Sequence, residues 1–321
     1  MTRPAPIRRR VMVAATLAPV LGSAWGQAWT SPLRLLVGAA PGSTMDIAAR
    51  QIGEAFTDQT TQIVIVDNRP TAGGIQALDI VRRSPADGQT LGLVHAMQMT
   101  AAPSLFPKLP YDPQCDFTHL GILFVGQQVL VTPAALPVTR WGDLIALAKE
   151  RPEALRYASP GVGSPQHLSM ELLRTSTGMK LQHIPYRGPA ATQAALSGEV
   201  DMTLEGAALL LPHIRSGRLR PMAVGGQRRL AALPEVPTFA ELGIAGIGEV
   251  WVGLVAPPNL PGPVRAALHD GMSRAVLTLK AEYEPSGRIV EPGSGDAMAD
   301  TIRRETPVWR DLVRSAGITP D

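Results

Sequence analysis

Cysteine is nearly absent from this 321-residue chain; Cys115 stands alone. No intramolecular disulfide can form, and a chain of this length does not need one in an oxidising compartment. No helix N-terminus or basic neighbour is evident to activate Cys115, so it reads as a loop thiol rather than a nucleophile. Aromatics supply only 4% of residues, which leaves few stacking platforms for bases. The histidines at 95, 119, 167, 183, 213 and 269 show no short ligand spacing, so no metal is expected. No phosphate-loop or dinucleotide fingerprint is present either, because Ala72-Gly73-Gly74 lacks the rest of both patterns, and no cofactor is expected. Internal repeats and low-complexity segments are also missing.

What the chain does have is apolar mass. Hydrophobic residues make up 45% and charged residues 18%, enough for a sizeable core in one large or two medium domains. The N-terminus reads as an export signal. Arg3, Arg8, Arg9 and Arg10 precede an apolar run from Val11 to about Gly22, shorter than the ~20 residues of a membrane span and broken by Pro19. Ala24-Trp25-Gly26 fits a small-residue cleavage site, with a cut after Ala28 as the alternative. The paired arginines leave a twin-arginine route open. Residues 1–26 carry those four arginines and no acid, so removing them takes the formal charge from +3 to −1. The mature chain thus has no basic excess to suggest nucleic-acid binding.

One stretch organises the rest. Leu33, Leu35, Leu36 and Val37 form the apolar run of a buried strand, Pro41-Gly42 breaks it, and Met45, Ala48, Ile52, Ala55 and Phe56 recur at helical spacing. Ser43 and Asp46 have the spacing of a capping box. A strand, tight turn and helix start of this kind presents unpaired N–H groups and partial positive charge, which suits a carboxylate or phosphate.

Further strands and helices alternate along the chain, the sign of a parallel sheet with covering helices. Apolar stretches at 120–125 and 129–132 read as the crossing into a second domain, and 249–255 as the return. Ser164-Pro165 opens a helix with serine at the N-cap and proline at the first position. The order gives two α/β domains, the second inserted into the first: residues 27–127 plus 251–321, and 128–250. The site belongs in the cleft between them, with the crossings as hinge.

The sequence also resembles a known family. The carrying residues are Pro41-Gly42 with Asp46 and Ala49-Arg50, Val66-Asp67-Asn68-Arg69-Pro70 with Ala72-Gly73-Gly74, and Ser84-Pro85-Ala86-Asp87-Gly88. Further matches are Lys108-Leu109-Pro110-Tyr111-Asp112-Pro113, Tyr157-Ala158-Ser159 with Gly161 and Gly163, Gln166-His167-Leu168, Ile184-Pro185-Tyr186-Arg187-Gly188, Leu211-Pro212-His213-Ile214, and Ala232 to Thr238. Together they resemble the extracytoplasmic substrate-binding proteins of the tripartite tricarboxylate transporter type, the Bug receptors. That resemblance implies a periplasmic-binding-protein type II-like fold and a periplasmic receptor, not an enzyme, that closes on a small organic anion such as a carboxylate or amino acid. It implies a monomer that serves membrane permease subunits or a sensor kinase. The ligand-binding residues it points to are Ala39, Gly42, Ser43, Thr44, Asp46, Gly163, Ser164, His167, Tyr186 and Glu205, with Ser43, Thr44 and Ser164 supplying hydroxyls. Arg187 is a further candidate for a carboxylate. Asp46 has the alternative of capping its own helix and pairing with Arg50, and His167 that of a local hydrogen bond. The chain departs from the family at Ala39 and Ala40, where an aromatic and a proline are usual, and at Ser43, where a second glycine is usual; the missing aromatic at Ala39 implies a roomier or less stacking pocket.

A second class of function is a serine-type hydrolase using Ser164, His167 and an acid such as Asp201. Gly161-Val162-Gly163-Ser164-Pro165 does not fit the G-x-S-x-G elbow, and Pro165 removes the N–H that its oxyanion hole requires.

Overall fold

The computed structural model describes residues 31–244 and 246–318; the export segment read at 1–26 lies outside them. The described chain folds as two α/β lobes. The first sheet starts with β1 (Leu33–Val37), which pairs in parallel with β2 (Val64–Asn68) and β3 (Thr90–His95). Beyond β3 the sheet turns antiparallel, with β9 (Glu249–Ala256) and then the first part of β4 (Thr118–Pro133), on which β10 (Arg288–Ile289) forms a short edge. The second sheet pairs β5 (Leu155–Ser159) in parallel with β6 (Leu181–Pro185) and β7 (Met202–Gly206). The second part of β4 runs antiparallel to β7 and to β8 (Leu219–Val224). The two apolar stretches at 120–125 and 129–132 are therefore one continuous 16-residue strand.

β1 is covered on both faces, so every position but Arg34 is apolar. Leu33, Leu35 and Val37 pack with Ala48, Ile52 and Phe56 of α1 (Thr44–Thr60) and Leu268 and Met272 of α9 (Gly262–Thr278). Leu36 points the other way, to Leu78 and Val81 of α2 (Ile75–Arg83), Met97 of α3 (Ala96–Thr100), Leu105 of α4 (Ala102–Leu105), and Met298 and Ile302 of α11 (Gly295–Ala316), while Tyr283 of α10 (Lys280–Tyr283) joins the cluster on the first face. The second sheet repeats the arrangement. Tyr157 and Leu130 pack with α5 (Trp141–Glu150) and α6 (Pro165–Thr177), whereas Ala158, Val129 and Val131 pack with α7 (Ala190–Ser197) and α8 (Ala207–Arg215). Side chains alternate at a period of two, so each strand feeds two helical layers.

The lobes are joined where β4 changes sheet. Gln127 is the last β4 residue opposite β9, and Gln128 the first opposite β7. The Gln128 N–H donates to the Gly248 carbonyl at 2.7 Å, and its own carbonyl accepts the Gly225 N–H at 2.8 Å. The Gln127 side-chain amide donates to the carbonyls of Gly225 and Arg228 at 2.9 and 2.8 Å. A Cβ on Gly225 would lie 1.9 Å from the Gly248 carbonyl oxygen, closer than any real contact allows. Gly225→Ala is therefore expected to cost about 2–4 kcal/mol, read as a lowered urea midpoint at unchanged slope. Gly262→Ala, where an added Cβ meets nothing within 4 Å, should leave the midpoint within error or raise it.

Candidate functional site

The carboxyl ends of the parallel strands in both sheets open into one cleft, the usual ligand position in open α/β folds. β1 and β2 lead to Ala39 and Thr71, and β3 ends at His95; β5, β6 and β7 lead to 160–164, to 187–189 and to Glu205. These segments line a cavity of about 590 Å³, a size typical of small-molecule sites. Ala39, Ser43, Thr44, Gly163, Ser164 and Glu205 stand in its wall, and Arg187 does too. Gly42, Asp46, His167 and Tyr186 lie outside that wall.

The first turn is built to expose donors. Ser43 caps α1, its Oγ accepting the Asp46 N–H at 3.3 Å. The Asp46 carboxylate does not complete the box on Ser43; it reaches one residue further, to the Gly42 N–H at 2.9 Å, and pairs with the Arg50 guanidinium at 2.9 Å. Arg50 donates to Asn68 Oδ1 at 3.2 Å, and Asn68 Nδ2 holds the Ala39 carbonyl at 3.0 Å. Burial pushes the Asp46 carboxyl up, but Arg50 and the Gly42 N–H outweigh it and hold the group below its usual range. Asp46 thus braces the turn. The N–H groups of Thr44 and Met45 have no acceptor among the described residues, as the first turn of a helix requires.

The facing turn follows the same design. Ser164 caps α6 by accepting the His167 N–H at 3.2 Å. His167 Nδ1 accepts the Gly163 N–H at 3.1 Å, and its ring stacks on His183 at 4.0 Å, which in turn stacks on Tyr157 at 4.8 Å. His183 Nε2 bonds the Ser159 hydroxyl at 2.7 Å. Burial and the His167 ring push His183 down to about 4. Burial likewise lowers His167, against the pull of Glu171. His167 holds the glycine turn from behind rather than facing the cavity. The Ser164–His167–Asp201 arrangement of a hydrolase does not form: Ser164 meets the His167 backbone, and Asp201 accepts the Arg156 N–H at 2.7 Å. Capping occupies a serine lone pair, so the hydroxyl protons of Ser43 and Ser164 stay free to donate into the cavity.

The lobes touch across the cleft. A Cβ on Gly188 would lie 2.9 Å from Ala40 Cβ, and one on Gly206 would lie 3.1 Å from the Thr44 side chain. The Thr44 hydroxyl, wedged there, is buried without a partner. Arg187 makes no ion pair among the described residues, so its charge is available at the cleft. Burial and the Glu199 carboxylate raise the Tyr186 hydroxyl, and the side chain packs against the apolar cluster that includes Ala158 and Ala191. Three polar wall residues, Thr71, His95 and Gln166, were not among the expected ligand-binding residues. A polar residue closing the apolar run of β3 was the available signal for His95; for Gln166 the signals were its place in a first helical turn and in the Gln166-His167-Leu168 motif. A smaller void of about 80 Å³, lined by Thr44, His95, Gln127, Gln128, Gln166 and Gly206 among others, shares wall residues with the main cavity and reaches the hinge.

Two buried titratable groups face this space. Burial pushes His95 down to about 4, so it is neutral near pH 7. Glu205 is 4% exposed. Burial pushes its carboxyl up to about 7, partly opposed by the Gln166 amide and the Gly206 N–H. A carboxyl raised in the folded state adds stability below the unfolded value of 4.5 and loses it as pH rises through about 7. The difference amounts to about 3 kcal/mol at most. Glu205→Gln removes this dependence. In the ligand-free protein it should melt higher than the unaltered chain at pH 8 and level with it near pH 4.5. The buried histidines act oppositely below pH 6.5 but are common to both proteins, so the difference in melting temperature isolates Glu205.

This geometry has close counterparts. The model of the tripartite tricarboxylate transporter family receptor matches residues 48–283. BugT of Bordetella pertussis is 32% identical over 295 residues, 89% of each chain. Among solved structures, the periplasmic binding protein BugD superposes with a TM-score of 0.84 at 26% identity, over 92% of this chain and all of that one. R. palustris Rpa4515 with adipate gives 0.84 at 29%, covering 91% and 99%. MatC of Rhodopseudomonas palustris with bound malate gives 0.81 at 27%, covering 88% and 99%. With the family model spanning most of the chain and the two-lobed cleft fold in common, this protein belongs to the receptors of the tripartite tricarboxylate transporter family, which are solute-binding proteins rather than enzymes.

Proposed function

We propose that this receptor captures a small carboxylate by closing its lobes and delivers it to a tripartite tricarboxylate-type permease. The observation that carries the reading is the opposition of two capped helix N-termini, at Ser43-Thr44 and Ser164-Pro165, across one cavity that Arg187 also lines. Each terminus favours an anion by about 0.3–1 kcal/mol when exposed and up to about 2 when partly buried. Excluding water by closure strengthens both, so closure belongs to binding. The adipate and malate held by Rpa4515 and MatC support the same ligand class here. The export signal at 1–26, action in the periplasm, a monomeric state, and lobe limits at 27–127 plus 251–321 and 128–250 are part of the proposal. Among the described residues no helix is long and apolar enough to cross a membrane.

A thermal-shift screen of mono-, di- and tricarboxylates and acidic amino acids tests it. An acid at a hundred times its Kd should raise the melting temperature by about 4 °C, and a folded protein stabilised by no anion would refute the reading. Closure has its own test. Gly206→Val overpacks the Thr44 contact only in the closed state, so it should weaken the best acid of that screen about tenfold while moving the ligand-free melting temperature little.

A further inference from the structure

The inner corner of the cleft holds an acid that the protein leaves unneutralised. Glu205 is the penultimate residue of β7, is buried, and lines the main cavity. Its Oε2 accepts from Gln166 Nε2 at 2.9 Å and from the Gly206 N–H at 3.2 Å. Among the described residues its Oε1 accepts nothing, and no Lys, Arg or His pairs with the carboxylate. Gln166 thereby holds one oxygen and leaves the other to the cavity. The other titratable side chains lining that cavity are His95, kept neutral by burial, and Arg187, which is exposed.

Against the ionised form of Glu205, an unsubstituted acid held at the helix N-termini would set only hydrocarbon or like charge. Hydrocarbon leaves a buried acceptor without a partner, and like charge repels strongly where water is excluded. A ligand bearing an O–H or N–H donor removes both penalties. The spacing is compatible, because Gln166 belongs to both poles: its backbone N–H lies in the first turn of α6, and its side chain reaches Glu205. One glutamine side chain spans the interval, which suits a donor on the carbon next to the ligand carboxylate or one further along.

Resting on the carboxylate-receptor reading, we propose that Glu205 determines specificity, its Oε1 receiving a hydrogen bond from a hydroxyl or ammonium group of the ligand. The protein then takes hydroxy- or amino-carboxylates in preference to the unsubstituted acids of the same skeleton.

Titration calorimetry on matched sets tests this: succinate, malate and aspartate; glutarate, 2-hydroxyglutarate and glutamate; phenylacetate, mandelate and phenylglycine. In whichever set binds, a substituted acid should bind at least about tenfold tighter than its parent. Preference for the hydroxy acid assigns a hydroxyl donor, and preference for the amino acid an ammonium. Glu205→Gln, which keeps an acceptor for Gln166, should cut an amino-acid preference to about threefold or less, and Glu205→Leu should cut either preference as far. The comparison on the unaltered protein does not depend on either variant folding. Equal affinity across a set, or a preference that survives both variants, overturns the role of Glu205 and leaves the receptor reading standing. No binding by any of these acids overturns both.

Discussion

The double crossing at Gln127-Gln128 is the constraint on which the rest of the molecule depends. Gln128 spends both of its backbone hydrogen-bonding groups on two segments of the second crossing, Gly248 just before β9 and Gly225 just after β8, and the Gln127 amide clamps the same place from the side. Two backbones meet there too closely for a Cβ on Gly225. Such a junction holds the two sheets in one register and leaves them free chiefly to swing about it. The carboxyl ends of β1, β2 and β3 are then bound to face those of β5, β6 and β7.

Around that cleft the polar residues divide by task. Asp46 and His167 sit behind the two turns and hold their glycines through the Gly42 and Gly163 N–H groups. The serine caps satisfy one helix N–H each and leave the first donors pointing outward. Such groups resemble a catalytic set only in composition. The imidazole and one lone pair of each serine hydroxyl are spent on fixing backbone shape, and what the described residues present to the cavity is a field of N–H dipoles, the serine O–H groups, the Arg187 guanidinium and one buried acid. That is an arrangement for holding an anion in a chosen orientation. It offers no activated nucleophile.

The small residues at the lobe contact belong to the same logic. Gly188 against Ala40 and Gly206 against Thr44 let the turns approach closely enough to shut out water. The Thr44 hydroxyl is stranded in that contact, and a buried unpaired hydroxyl costs about 1–3 kcal/mol.

Much of this was legible locally. The strand at 33–37, the turn at 41–43 and the helix after it follow from apolar periodicity, a Pro-Gly break and a serine cap, all of which act within a few residues. Ser164-Pro165 announced the facing helix for the same reason, and the order of strands and helices implied two α/β lobes. The joining of 120–125 and 129–132 into one strand, and the choice of residues that face the cavity, were not local matters. Gly42, Asp46, His167 and Tyr186 share motifs with wall residues yet stand outside the wall, because side-chain direction at a turn depends on what packs behind it. His95 and Gln166 enter the wall because distant segments converge on them. Glu205 carries nothing in its neighbours to mark it as buried and uncompensated. Its environment is made by α6 and by the opposite lobe, so sequence alone determined the elements and their order, and tertiary packing decided which charges lose their water.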